Sequence, residues 1–179
     1  MPSLLRFRLS LMMLLQYAVM GSVLPILSLY LRNNLGFSGT QTGTVLAMSA
    51  LAASTAPFVG ALVADKLLSA ERLLAVCHLL AAVLMLLLSR LSSFWLVLLL
   101  YLCYMVAIRP TIALTNAVAF HHMPGERSRF AGIRLWGTVG WMVVGWVFSY
   151  VWLRGDDAMT RLPHALMLAS GLSLCMFVH

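Results

Sequence analysis

Long apolar stretches alternate with short polar segments along the whole chain, which has 179 residues. A helix of about 20 apolar residues spans the hydrocarbon core of a bilayer. The apolar stretches therefore predict six membrane-spanning helices, at residues 9–31, 41–64, 72–88, 94–120, 130–153 and 163–179. The expected fold is all-α, and the chain is expected to be a polytopic membrane protein.

Turn and cap residues separate the predicted helices. Gly36 follows the first, Ser38 and Gln41 have the spacing of a capping box that opens the second, and Ser69 can cap the third. The sixth apolar stretch has only about 17 residues and ends without a flanking charge. We therefore expect residues 1–179 to form one six-helix domain with a truncated sixth helix, and the resemblance described below implies that this is an N-terminal domain whose C-terminal half is absent.

Two prolines occupy matching positions in the two halves of this pattern. Pro25 lies 16 residues after the start of the first apolar stretch, and Pro110 lies 16 residues after the start of the fourth. Interruptions at corresponding positions are typical of transporters built from inverted repeats, whose binding site lies near the midplane of the membrane. The prolines favour a 3+3 inverted repeat. The alternative is coincidence, because membrane helices tolerate proline.

Composition confirms lipid as the solvent of this chain and limits its partners. Hydrophobic residues make up 62% of the sequence and charged residues 9%, whereas a soluble domain has about 25% charged residues. The net charge is +7, but the basic residues lie between apolar stretches as topology signals, so we expect no nucleic-acid partner. Six loop arginines and lysines lie on the side of the N-terminus and four on the other, which predicts a cytoplasmic N-terminus.

An arginine within the fifth apolar stretch is the strongest functional signal. A charge inside hydrocarbon costs about 2.5–3.5 kcal/mol on insertion scales, so a buried arginine usually faces water or a ligand. Arg134, Thr138 and Trp141 follow one another at i, i+4 and i+7 and share one face of a helix. The three side chains predict a small-molecule site. The alternative is that Arg134 extends to the headgroups while Trp141 only packs. Three glycines of the same helix are predicted to pack closely against neighbouring helices rather than to contact a ligand, namely Gly137, Gly140 and Gly145.

Polar residues in other apolar stretches are weaker candidates. Arg109 and Asn116 share a face of the fourth predicted helix, and Arg109 has no acidic residue nearby in sequence, which leaves a structural and a functional role equally open. Gln16 either contacts a solute or forms a hydrogen bond to a neighbouring helix. His78 either packs through a hydrogen bond or relays protons.

The sequence gives no support for an enzyme. It contains no Ser-His-Asp, metal-ligand or phosphate-loop arrangement, so we expect neither a metal nor a cofactor. A proton-coupled transporter generally needs a titratable group near the membrane centre. Every carboxylate lies in or beside a predicted loop, so a coupling acid would have to lie outside this set, which comprises Asp65, Glu71, Glu126, Asp156 and Asp157.

The segment after the second predicted helix resembles a signature of the major facilitator superfamily. The residues from Gly60 to Asp65 and Lys66, followed by Arg72, are similar to the glycine–acid–base pattern between the second and third helices of that superfamily. The resemblance implies that Asp65, Lys66 and Arg72 act as a cytoplasmic gate. The alternative for Asp65 is a solvated loop charge.

Most of the chain resembles the nucleoside–proton symporters of that superfamily. The similarity is carried by five short motifs, namely Leu15-Gln16-Tyr17, Val63-Ala64-Asp65-Lys66, Cys77-His78, Pro110-Thr111 with Asn116, and Ile133-Arg134-Leu135-Trp136-Gly137-Thr138. The family fold has two six-helix halves, and this chain is similar to the first. The resemblance implies nucleoside uptake by alternating access in the bacterial inner membrane.

The same resemblance assigns roles to particular residues. It implies that Arg134 and Thr138 contact the nucleoside and that Trp141 lies beside them, with Gln16 and Asn116 as further candidates. Proton coupling would be supplied by the missing half. Arg109 is not part of the family pattern, and we expect it to affect which solute is accepted.

Two other functions remain open at this point. One is a major facilitator transporter for another small solute, such as a sugar or a drug. The other is a non-transporting half-unit that assembles with a partner, which would be a separate six-helix half or a second copy of the chain.

Overall fold

A computed structural model describes residues 3–64, 69–123, 127–155 and 158–179, and it describes only the backbone of residues 55–64, 127 and 128. Within these residues every regular element is helical. Six long helices, which we number α1 to α6, span Ser3–Val23, Gly39–Ala64, Ala70–Leu88, Phe94–His121, Arg127–Val147 and Pro163–Val178. Each overlaps one of the six predicted spans, although α1 covers Ser3–Val23 where the sequence predicts residues 9–31. The all-α fold class is confirmed.

Most of these helices are long and apolar enough to cross a membrane. Among the described residues, five segments meet that requirement, at Ser3–Asn34, Ala70–Leu88, Phe94–His121, Arg129–Trp152 and Ala158–Val178. Helix α2, at Gly39–Ala64, has 26 residues and lies where the sequence predicts the second span. The observed helices therefore agree with a polytopic membrane protein.

The first span is interrupted at Pro25, as predicted. The backbone turns at residues 24–26, resumes as a helix at Leu27–Leu29, and widens to a π-helical turn at Tyr30–Asn34. Gly36 then adopts a φ of 68°, a left-handed conformation that suits glycine, and ends the segment. The fifth span also ends in a π-helical turn, at Phe148–Trp152.

Pro110 does not interrupt its helix, and this part of the repeat prediction is wrong. Helix α4 continues through Pro110 to His121. Pro110 has no N–H for the carbonyl of Val106, and membrane helices tolerate such a loss. In the following turns, Oγ1 of Thr111 donates to the carbonyl of Ile108 at 2.6 Å, and Oγ1 of Thr115 lies 2.6 Å from the carbonyl of Thr111.

The two predicted helix caps have different outcomes. The capping box of α2 is present, because the backbone N–H of Ser38 donates to Oε1 of Gln41 at 2.9 Å and the N–H of Gln41 donates to Oγ of Ser38 at 3.2 Å. Ser69 precedes α3 with an extended backbone, but its side chain makes no cap hydrogen bond to the described backbone. The predicted cap at Ser69 is therefore wrong.

Helix packing has the symmetry of a 3+3 inverted repeat. Helix α1 packs on α5 and α6, α4 packs on α2 and α3, and α3 and α6 pack on each other. Exchanging α1 with α4, α2 with α5 and α3 with α6 reproduces this set of contacts. Helices α3 and α6 therefore form the back of the bundle, α1 and α4 meet at its centre, and α5 and α2 lie at its flanks.

Candidate functional site

The guanidinium of Arg134 packs on an aromatic ring of α1. Its central carbon lies 4.1 Å from the centroid of the Tyr17 ring, and both side chains are half-buried. Such a cation–π contact contributes about 0.5–1 kcal/mol at exposed sites and about 2 kcal/mol when desolvated. The contact holds the guanidinium against the neighbouring helix, where its N–H groups stay close to the Tyr17 ring.

A glycine makes room for this pair. A Cβ on Gly137 would lie 2.7 Å from Cδ2 of Tyr17 and 2.9 Å from Nη1 of Arg134. These separations are shorter than van der Waals contact, so a larger residue would displace the ring or the guanidinium. Gly137 is thus part of the geometry that places Arg134, and the predicted close packing at this glycine is confirmed.

Two more glycines bring the backbones of α1 and α5 together. A Cβ on Gly21 would lie 2.9 Å from the carbonyl oxygen of Trp141, and a Cβ on Gly140 would collide with the carbonyl oxygen of Leu14. Close approach through small residues is a common way for membrane helices to associate. The predicted packing role holds for Gly140 but not for Gly145, whose added Cβ would meet no described atom within 4 Å.

Thr138 and Trp141 lie on the same face of α5 as Arg134. Both side chains are exposed, and 44% of Trp141 is accessible. The structure therefore brings the three predicted residues into one stripe at the edge of the α1–α5 contact, with the guanidinium anchored, the hydroxyl accessible and the indole partly covered beside Gly21.

Gln16 is completely buried at the centre of the bundle. Its Nε2 donates to Oγ1 of Thr111 at 2.7 Å, and its Oε1 accepts from Nε2 of His78 at 2.9 Å. Oγ1 of Thr115 lies 3.1 Å from the same amide oxygen and shares its single hydrogen between Oε1 and the carbonyl of Thr111. Because an amide oxygen only accepts, Nε2 of His78 carries the hydrogen. In this conformation Gln16 joins α1, α3 and α4 and does not reach a solute directly, which is the helix-packing alternative of the sequence analysis.

His78 is the third helix's contribution to this cluster. The side chain is completely buried, and its Nδ1 has no hydrogen-bond partner among the residues that the structure describes. The bond to Gln16 fits the interpretation of His78 as a packing residue. The cluster fixes the position of α1 at Gln16. The next residue is Tyr17, whose ring contacts the Arg134 guanidinium.

Arg109 and Asn116 lie on α4, away from the α1–α5 contact. Both residues are half-buried. The Nε atom of Arg109 and the Oδ1 atom of Asn116 are buried, and in the described part of the chain neither has a hydrogen-bond partner. The structure does not bring them into direct contact with Arg134.

The predicted gate is only partly visible. Asp65 and Lys66 lie outside the described residues, and Arg72 is exposed in the first turn of α3. At the same end of the bundle, Nε2 of His122 lies 3.8 Å from Oε1 of Glu71, which links the start of α3 to the end of α4. The roles of Asp65, Lys66 and Arg72 stay predictions.

Tyr17 belongs to the site but was not among the predicted site residues. Its sequence position placed it only in a motif of the first span, because its contact with Arg134 joins residues that are 117 positions apart in the chain. Helical spacing reveals which residues share a face of one helix, but it does not reveal which face of another helix they meet. The glycine at position 137 was the one local signal of close packing here.

Comparison with known proteins identifies the family. The family model described as "Nucleoside H+ symporter" matches residues 4–179. The chain belongs to the nucleoside H+ symporter family. Its members are transporters rather than enzymes, and the predicted resemblance is confirmed.

Relatives and solved structures of this family agree with the assignment. The chain is 34% identical to xanthosine permease of Escherichia coli strain K12 over 93% of its own length and 40% of the permease. It is 30% identical to nucleoside permease NupG of the same strain, over 81% of this chain and 36% of NupG. The crystal structure of the nucleoside transporter NupG superposes on this chain with a TM-score of 0.88 and 27% sequence identity. The superposition covers 97% of this chain and 42% of NupG.

The chain thus spans about two fifths of the length of these relatives. The superposition covers the six helices described above, and it supports the prediction that they correspond to a half of a major facilitator fold. The bacterial relatives and the helices long enough to cross a membrane together support a multi-pass protein of the inner membrane.

Proposed function

We propose that this chain takes part in nucleoside uptake by alternating access, with a proton as the coupling ion. Membership in the nucleoside H+ symporter family supports this proposal, and so do the names of the two bacterial permeases. The observation that carries it is the Arg134 guanidinium, which lies at 4.1 Å over Tyr17 next to an accessible hydroxyl and indole on the same helix face.

The chemistry of these side chains suits a nucleoside. Arg134 offers planar N–H donors that can form paired hydrogen bonds with ribose oxygens or base carbonyls. Thr138 can both donate and accept, and the exposed face of Trp141 can stack on the base. Tyr17 acts as a positioning residue, because its ring covers one side of the guanidinium and leaves the remaining donors available.

Proton coupling needs a group that this site does not contain. Glu71 is the one carboxylate in the described part of the chain, and it lies in the first turn of α3 beside His122 rather than in the middle of a helix. We therefore place the coupling acid in a second six-helix half that pairs with residues 1–179. That half would also close the solute cavity against α1, α4 and the flanking helices.

The cytoplasmic gate belongs to the same proposal. Arg72 is exposed at the start of α3, immediately after the segment that contains Asp65 and Lys66. An arginine there can reach a carboxylate of the preceding loop when the cytoplasmic side closes. The gate would open and close access to the site without touching the solute.

Uptake of labelled uridine by a strain that lacks its own nucleoside transporters tests the site. We expect Arg134→Ala to lower uptake by about 10-fold to 100-fold, because hydrogen bonds from a charged donor contribute about 1.5–3 kcal/mol. Arg90→Ala removes the same charge from an exposed position after α3 and should leave uptake unchanged. Immunoblots of isolated membranes would show equal amounts of both variants. Normal uptake by Arg134→Ala would refute the site.

A further inference from the structure

A second arginine lies at membrane depth and has no role in the site described above. Arg109 is near the middle of α4, which has 28 residues. It is half-buried, and its Nε atom is buried without a hydrogen-bond partner among the described residues. A charged side chain at this depth is costly unless it meets water or an opposite charge.

The surroundings of Arg109 do not neutralise its charge within the described part of the chain. Two buried tyrosines precede it on α4, Tyr101 and Tyr104, whose rings stack with 6.2 Å between their centroids. Both are phenols and carry no charge in the membrane interior. Glu71, the one described carboxylate, is held near His122 at the end of the bundle.

Arg109 shares one face of α4 with Asn116 and Phe120. Arg109, Asn116 and Phe120 follow at i, i+7 and i+11, a spacing that keeps them within about 20° of one line along the helix. The ring of Phe120 stacks on Phe130 of α5 with 4.3 Å between centroids. Phe130 lies one turn before Arg134, so the face of α4 that carries Arg109 meets, at its Phe120 end, the helix that carries Arg134.

We propose that Arg109 and Asn116 form a second subsite, which binds an anionic group, such as a carboxylate or a phosphate, on the solute whose other end contacts Arg134. This inference rests on the proposed function. Arg109 supplies charge-assisted donors for the anion, and Asn116, half-buried two turns further along the same face, supplies an amide that can hydrogen-bond the same solute. The axial separation of the two residues, about 10 Å, suits an extended solute of nucleoside size.

The charges of Arg109 and Arg134 also favour one class of solute over another. With the positive charges of Arg109 and Arg134 and only one described carboxylate, which lies elsewhere, the potential near this face favours negative solutes. A neutral solute would leave the positive charge of the Arg109 guanidinium without a counter-charge, and an uncompensated charge at this depth lowers affinity. The subsite therefore distinguishes an anionic solute from its neutral counterpart.

Equilibrium binding to the full-length protein in lipid nanodiscs tests this subsite with two matched solute pairs. One pair is uridine and uridine 5′-carboxylate, and the other is glucose and glucuronate. We expect the anionic member of a pair to bind about tenfold more tightly in the unaltered protein. Arg109→Met should reduce that preference to about one while changing the affinity for the neutral member less than about twofold. Arg90→Gln, which removes an exposed charge, should preserve the preference.

The outcomes separate this subsite from the proposed nucleoside function. An anion preference that survives in Arg109→Met overturns the subsite. If Arg109→Met fails to fold, Arg109→Gln replaces it; a Gln variant that keeps the preference likewise overturns the subsite. If uridine and its carboxylate do not bind but an Arg109-dependent preference for glucuronate is present, the nucleoside proposal fails and the subsite stands. If no member of either pair binds, both fail.

Discussion

At the scale of single residues, the candidate site depends on how closely α1 and α5 approach. Gly21 and Gly140 each face the backbone of the opposite helix, and Gly137 faces the Tyr17–Arg134 pair. The three glycines therefore contribute both to helix packing and to the candidate site, because the close contact that holds α5 on α1 also places the Arg134 guanidinium over the Tyr17 ring. Changes at these glycines should affect stability and solute binding together.

The collision at Gly140 gives a direct test of this contact. We expect Gly140→Ala to lower the free energy of unfolding by about 1–3 kcal/mol, because the new Cβ meets the carbonyl of Leu14 and a backbone cannot move aside as a side chain can. The matched control is Gly145→Ala on the same helix, where no described atom lies within 4 Å. It should be neutral or stabilise the helix by about 0.5–1 kcal/mol.

Thermal unfolding in detergent micelles, followed by circular dichroism, measures both glycine variants. Equal melting temperatures for Gly140→Ala and the unaltered protein would show that the two backbones are farther apart than the structure places them. A loss of stability in Gly145→Ala as large as in Gly140→Ala would also contradict the argument, since the effect would then follow from alanine itself.

Residue-scale prediction from the sequence succeeded within helices and failed between them. The common face of Arg134, Thr138 and Trp141 follows from helical spacing alone. The burial of Gln16 does not, because its three partners lie on helices that begin more than 50 residues later in the chain. A polar residue in an apolar stretch signals a need for a partner, but only packing decides whether the partner is a solute or a neighbouring side chain.

At the scale of helices, the signals that the sequence contains are local interactions at helix ends. Ser38 and Gln41 exchange two hydrogen bonds at the start of α2, and the left-handed Gly36 ends the segment before it. These features involve residues within a few positions of each other, so they could be predicted. The continuous path of α4 through Pro110 could not, because it depends on how α4 packs on α2 and α3.

The two serines before α2 and α3 form a matched pair for testing helix capping. We expect Ser38→Ala to destabilise the protein by about 1 kcal/mol, because it removes the acceptor for the backbone N–H of Gln41. Ser69→Ala should change stability by less than about 0.5 kcal/mol, because the described backbone receives no cap bond from this side chain. Reversible unfolding in mixed micelles compares the two. A larger effect at Ser69 would contradict the assignment of the caps.

At the scale of the whole molecule, the arrangement of helices follows from the repeat. Six apolar stretches predict six helices, and the contacts of α1 with α5 and of α4 with α2 place the two triplets around a central pair. The sequence predicted the count and the membrane setting, because both depend on length and composition. It could not predict which helices contact each other, because the spacing of apolar residues within one helix carries no information about which helix packs on it. The superposition on NupG supports the resulting bundle.

The excess of basic loop residues on the side of the N-terminus predicts that this side of the bundle faces the cytoplasm. After Cys77, Cys103 and Cys175 are replaced by serine, a membrane-impermeant thiol reagent applied to intact cells should label Ser92→Cys, which is exposed before α4. It should label Ser69→Cys, exposed before α3, only after the membrane is permeabilised. The reverse pattern would place the N-terminus outside the cytoplasm and would put the proposed gate on the wrong side of the membrane.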